Sequence, residues 1–114
     1  MPYAAVTTNV DLPAELGQQL ASAVSEAVSE ATGKSEAFVM ASAHHAEMVM
    51  STSSSPCCFI DFRSIGCVDP IKNAKTSKAL SEAVKRVIGV PAERVYINFT
   101  DMDRQYWGFR GATF

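Results

Sequence analysis

Charge is what this chain has little of: 19% of its 114 residues are Asp, Glu, Lys or Arg, and the net charge is -2. The ten basic side chains are scattered, which leaves no electrostatic footprint for nucleic acid or an anionic membrane. No apolar run approaches the length of a membrane span, and the opening residues 1–13 lack a basic segment followed by an apolar one. The expectation is a soluble protein made in the cytoplasm. Cysteine is also sparse. Cys57, Cys58 and Cys67 cannot all pair, and sequence neighbours rarely bridge, so a disulfide framework is not expected and a reducing compartment fits best. His44 and His45 with Cys57 and Cys58 match no standard zinc spacing, and adjacent residues on a strand face opposite ways. No metal or cofactor is expected.

What the chain has in quantity is apolar side chains, 47% of the total. A single domain this short buries a comparatively small share of its surface, so part of that apolar area is expected to be covered by sister subunits. Periodicity predicts four strands and two helices. Tyr3 to Val10 is β-rich; Leu16, Leu20, Val24, Ala27, Val28 and Ala31 form a helical stripe that opens near Asp11 and Pro13 and closes at Gly33. Phe38 to Ala43 reads as a second strand, Ser51 to Pro56 as a loop and Cys57 to Ile65 as a third strand. Asp69 before Pro70 is a helix start, with Leu80, Val84, Val87 and Ile88 as its stripe and Gly89 as its stop. Arg94 to Thr100 alternates Val95, Ile97 and Phe99 with Tyr96, Asn98 and Thr100, giving one apolar and one polar strand face.

Ser25-Glu26-Ala27-Val28 with Gly33 recurs as Ser81-Glu82-Ala83-Val84 with Gly89. Helix-favouring sequence can repeat by chance, but a matching strand follows each copy, with Val39 mapping onto Val95. The expected fold is an α/β (α+β) domain spanning residues 1–114. Two pseudo-symmetric βαβ units would form one four-stranded mixed sheet with both helices on the same face. The other face then needs a cover.

Met1-Pro2, Thr8-Asn9-Val10, Ala31-Thr32-Gly33-Lys34, Ser64-Ile65-Gly66, Arg94-Val95-Tyr96-Ile97-Asn98, Asp101-Met102 and Thr113-Phe114 follow one another along nearly the whole chain. In these blocks the sequence resembles the macrophage migration inhibitory factor family of the tautomerase superfamily. The resemblance implies a homotrimer with active sites at the subunit boundaries, and keto–enol tautomerisation of phenylpyruvate-like or dopachrome-like aromatic α-keto acids. Pro2 would be the catalytic base. Its secondary amine, freed when Met1 is removed, would stay neutral in an apolar pocket and take a proton from a carbon beside a carbonyl. A proline at position two carries no such meaning alone.

The resemblance further implies that Lys34 grips the substrate carboxylate and that the Ile65 backbone N–H adds a second donor. Tyr96 and Asn98 share one strand face; the resemblance brings them from the neighbouring subunit, Asn98 to the keto oxygen and Tyr96 to the pocket wall. Phe38, Trp107, Phe109 and Phe114 would wall the aryl pocket. Some features depart from the family. Cys57-Cys58-Phe59-Ile60 replaces a Cys-x-x-Cys, Ser35 replaces the usual proline after Lys34, and Met50-Ser51-Thr52 replaces a Phe-Gly-Gly loop. The competing expectation is an extracellular signalling ligand released by a non-classical route and bound by a cell-surface receptor. The arginine that cytokine-like members carry in the early loop is absent, where Val10-Asp11-Leu12-Pro13 stands.

Overall fold

The computed structural model describes residues 1–114. Its elements run β1 (Pro2–Thr8), α1 (Ala14–Thr32), β2 (Met40–His45), β3 (Cys58–Ser64), α2 (Pro70–Ile88), β4 (Val95–Asp101) and a small C-terminal hairpin, β5 (Gly108–Phe109) with β6 (Ala112–Thr113). The sheet order is β2-β1-β3-β4. β1 pairs parallel with β2 and β3 parallel with β4, each pair linked through its helix, while β1 and β3 pair antiparallel at the centre.

The internal repeat is structural. A displacement of 56 residues carries Pro2–Thr8 onto Cys58–Ser64, Ala14–Thr32 onto Pro70–Ile88 and the 3-10 turn Glu36–Phe38 onto Ala92–Arg94. Both helices end in a glycine in the left-handed region, Gly33 at φ 74° and Gly89 at φ 72°, whose N–H bonds back into the last turn. Their starts differ. The Asp69 carboxylate accepts from the Lys72 N–H at 2.9 Å, whereas α1 begins after Pro13 with no side-chain cap.

Both apolar stripes face one side of the sheet. Leu20, Val24 and Val28 of α1 and Leu80 and Val84 of α2 bury against Ala4, Val6, Ile60 and Phe62. β1 and β3 alternate strictly, so Pro2, Ala4, Val6 and Thr8 point under the helices while Tyr3, Ala5 and Thr7 point away. The opposite face is uncovered. Register aligns Met40, Ser42 and His44 beside Tyr3, Ala5 and Thr7, then Arg63, Asp61 and Phe59, then Thr100, Asn98 and Tyr96. Met40 is 67% and Tyr96 65% exposed there. No helix is long and apolar enough to cross a membrane.

Several boundaries differ from the expectation. β1 stops at Thr8 rather than Val10, because the Thr8 hydroxyl turns inward to donate to the Cys57 carbonyl at 2.8 Å and accepts from the Val10 N–H at 3.2 Å. The second strand begins at Met40, not Phe38. Ser35 caps a 3-10 turn over Glu36–Phe38, its hydroxyl accepting from the Ala37 N–H at 3.3 Å. The serine in place of proline thus supplies a turn of its own. Arg94 lies in a 3-10 turn before β4, and its guanidinium ties down the serine-rich loop through the carbonyls of Met50 and Ser55 at 2.8 Å, Ser53 at 3.1 Å and Pro56 at 3.2 Å. Within the clamped loop Ser51 and Thr52 sit at φ 51° and 63°, a conformation glycine adopts more easily.

Leu80 has no exposed surface and sits where α2 meets the sheet. Leu80→Ala is expected to lower unfolding free energy by about 2–5 kcal/mol in urea titration. A loss under about 1 kcal/mol would mean that this core is not the packed layer described.

Candidate active site

An apolar cavity of about 500 Å³ opens where β1 starts, and Pro2, Phe38, Met102, Trp107 and Phe109 contribute to its lining. Strand alternation buries the Pro2 ring completely on the helix side of the sheet, with the half-buried Met1 in front of it. Phe38 enters from the 3-10 turn that Ser35 caps, and Trp107 and Phe109 enter from the C-terminal segment. The hairpin that presents Phe109 turns through Arg110 and Gly111 at φ 54° and 76°, the two consecutive left-handed residues a tight hairpin needs. The Arg110 guanidinium lies over the Phe109 ring at 5.1 Å.

Phe114 does not line the cavity. Its ring stacks behind Phe109, centroids 5.3 Å apart and 6° from parallel, and its N–H donates to the Trp107 carbonyl at 3.2 Å. Within the single chain it therefore stacks on a wall residue rather than lining the cavity itself.

Lys34 is fixed at its backbone from both sides by the end of α1. Its N–H donates to the Thr32 hydroxyl at 3.2 Å and its carbonyl accepts from the Ser29 hydroxyl at 2.7 Å. The terminal amine of Met1 is held below the ordinary α-amine value, first by burial and then by the positive charge of Lys34. Both causes disfavour a cation at this end of β1. Ile65 follows directly on Ser64, the residue paired with Pro2, and its N–H, outside every helix and strand, donates to no atom of the chain. A free donor therefore sits beside the Pro2 row. The turn after it is set by Gly66 at φ 77°, whose N–H donates to the Asp101 carboxylate at 3.2 Å.

Tyr96 and Asn98 are elsewhere. Pro2 pairs with Ser64 and Ser64 with Asp101, whereas Tyr96 pairs with Phe59 and Phe59 with Thr7. Tyr96 is thus five steps along the strands from the Pro2 row, roughly 17 Å at the rise of an extended strand, and Asn98, paired with Asp61 beside Ala5, is three. Pro2 also faces the helices while Tyr96 and Asn98 face away from them. One copy of the chain does not bring these residues together. Both side chains are exposed, Tyr96 next to Met48, Val49 and Met50 of the loop that Arg94 clamps.

Sequence reasoning missed Tyr3, Arg63 and Tyr106 as lining residues. Tyr3 and Arg63 were legible in principle, because both flank the Pro2 position on a sheet whose alternation was evident. Tyr106 belongs to a 3-10 turn with no periodic signal. No three His, Cys, Asp or Glu side chains group as metal ligands.

The family model described as macrophage migration inhibitory factor matches residues 1–114. The chain belongs to the macrophage migration inhibitory factor family. Among its relatives, the factor of Meriones unguiculatus is 33% identical over 122 residues, covering 100% of this chain and 99% of that one. The homolog from Brugia malayi is 30% identical over 115 residues, again covering 100% and 99%. The solved structure of macrophage migration inhibitory factor from Toxoplasma gondii is 31% identical and superposes with a TM-score of 0.88 over 98% of this chain and 99% of that one. The βαβ repeat and the mixed sheet are thus those of the macrophage migration inhibitory factor fold.

Cys58, at the position in β3 that the repeat equates with Pro2, is buried against the core. Burial pushes its thiol up to about 11, with the Thr8 hydroxyl opposing and neighbouring Cys57 adding slightly. The folded state therefore holds this proton more tightly than the unfolded chain, whose ordinary value is 9.0. The stabilisation is complete below pH 9.0 and is lost as pH climbs towards about 11. Urea titrations across that window are expected to show a steeper alkaline loss for the wild type than for Cys58→Ala. Equal slopes would contradict a buried, protonated thiol.

Proposed function

We propose that the protein is a keto–enol tautomerase acting on aromatic α-keto acids, with the Pro2 amine as its base after loss of Met1. The single observation that carries this reading is the setting of Pro2: wholly buried at the start of β1, in an apolar cavity of about 500 Å³ with aromatic walls. The Met1 amine one residue ahead is held low by burial and by the charge of Lys34, with Cys67 opposing, and a secondary amine freed at Pro2 would meet the same surroundings. It would be neutral at working pH. While Met1 remains, the same nitrogen is an amide and has no basicity.

The chemistry follows from that state. The Pro2 nitrogen takes a proton from the carbon next to the keto carbon, the C–H electron pair becomes a C=C bond, and the keto oxygen gains negative charge and then the proton. Lys34 and the Ile65 N–H would hold the substrate carboxylate, so that the reacting carbon lies against Pro2. With Lys34 and the Ile65 N–H engaged by the carboxylate, the enolate oxygen needs a further donor. Asn98 of a neighbouring copy fits that role, with Tyr96 closing the wall, and this reading requires the homotrimer. The uncovered sheet face, with Met40 and Tyr96 exposed, supports association through it.

Intact mass combined with a phenylpyruvate enol–keto assay tests the reading. Protein lacking Met1 is expected to be active, and Pro2→Gly to lose at least about a hundredfold in kcat/KM, the usual worth of a positioned base. Activity should rise with pH through the amine's titration, at a midpoint below that of an ordinary α-amine. Processed protein with no rate above buffer would remove the enzyme reading for these substrates.

A further inference from the structure

Arg63 is the one charged side chain among the thirteen residues that line the Pro2 cavity; no acid lines it. It stands on β3 directly across from Tyr3, whose hydroxyl shares a hydrogen bond with the Ser42 hydroxyl at 2.8 Å, so the cavity has one polar edge in an otherwise greasy lining. A guanidinium does not shed its proton, and whatever part of its planar fork is unengaged stays available to an anion. Asp61, two residues back on the same strand face, meets part of it: Nη2 donates to one carboxylate oxygen at 2.9 Å and Nε to the other at 3.4 Å. That contact fixes the side chain and consumes one edge of the fork. The Nη1 end donates to no atom of the chain, and the side chain is 51% exposed. Asp61 therefore acts as a positioning residue that aims a planar, bidentate-capable donor at the cavity rim.

Two cations therefore stand at different places around the cavity, Arg63 in its lining and Lys34 outside it but near enough to act on the Met1 amine. Lys34 lies by the amine at the head of β1 on the loop after α1, and Arg63 lies on the sheet face beyond Tyr3. One carboxylate accounts for only one of them. We infer that Arg63 makes this site selective for α-keto acids that carry a second anionic group, a carboxylate at the end of the body remote from the keto acid. This inference rests on the tautomerase reading above and narrows its substrate class.

The test compares two substrates on protein lacking Met1: phenylpyruvate, with one carboxylate, and 4-carboxyphenylpyruvate, with two. The wild type is expected to favour the dicarboxylate by about tenfold in kcat/KM, a typical worth for one charge-assisted contact at a half-exposed rim, expressed mainly in KM. Arg63→Met should abolish that preference, Arg63→Lys should restore part of it, and Asp61→Asn, which removes the carboxylate that aims the guanidinium, should weaken it. High salt should reduce the wild-type preference and leave that of Arg63→Met flat. A ratio of the two kcat/KM values that Arg63→Met does not change overturns the inference while leaving the tautomerase reading intact. So does an equal loss on both substrates in Arg63→Met, which would make Arg63 a second grip on the shared carboxylate. If neither substrate is turned over, the tautomerase reading fails and the selectivity inference goes with it.

Discussion

A sheet of four strands has two faces, and two helices sit on only one of them. Both helices of this chain pack together against the Ala4, Val6, Ile60 and Phe62 side of the sheet. The remaining face carries Met40, Phe59 and Tyr96 into solvent. Burial of apolar surface is the dominant favourable term in folding and association, so an uncovered face of this kind is a demand for a partner. The strict period of two along β1 and β3 ties this demand to the chemistry. It sends Pro2 under the helices and Tyr96 and Asn98 out of the other side, five and three residues away along the strands. In the proposed homotrimer, the copy that brings Asn98 to the site would cover the open face as well.

Within the Pro2 cavity the physical theme is the treatment of positive charge. Burial and then Lys34 lower the basicity of the Met1 amine, outweighing the opposing effect of Cys67, and no carboxylate lines the wall. An environment that disfavours a protonated amine while offering donors to an anion is suited to removing a proton from carbon and holding the charge that appears on oxygen. The local folding of the α1 terminus serves the same end. Ser29 and Thr32 spend their hydroxyls on the Lys34 backbone, and Ser35 shapes the turn that brings Phe38 into the lining.

Much of the fold was legible because its signals are local. Gly33 and Gly89 mark left-handed helix ends, Asp69 before Pro70 marks a cap, and apolar steps of three and four mark the buried stripes. The repeat was visible in two short blocks, yet it extends to the 3-10 turns as well. What escaped depends on contacts distant in sequence or on turns without a period. The end of β1 is set by a hydroxyl bonded to Cys57, and the Phe38 turn by one serine. The C-terminal hairpin is too short for alternation to show, and so the stacking of Phe114 on Phe109 that follows from it was not legible either. Of the candidate site, Pro2, Phe38, Trp107 and Phe109 converge within one chain. Tyr96 and Asn98 do not, since strand geometry separates them and sequence alone carries no record of a second copy's position.

The central claim is that each working site draws its base from one copy and Asn98 from another. Co-refolded mixtures of Pro2→Gly and Asn98→Ala chains measure this most directly, since in a mixed homotrimer some boundaries join an intact Pro2 to an intact Asn98. Each variant alone should be nearly inactive on phenylpyruvate, and an equal mixture should recover about a quarter of the wild-type rate, the share of boundaries that random assembly leaves whole. A mixture no more active than its two components, with mixed trimers demonstrated by mass, would contradict a site shared between copies.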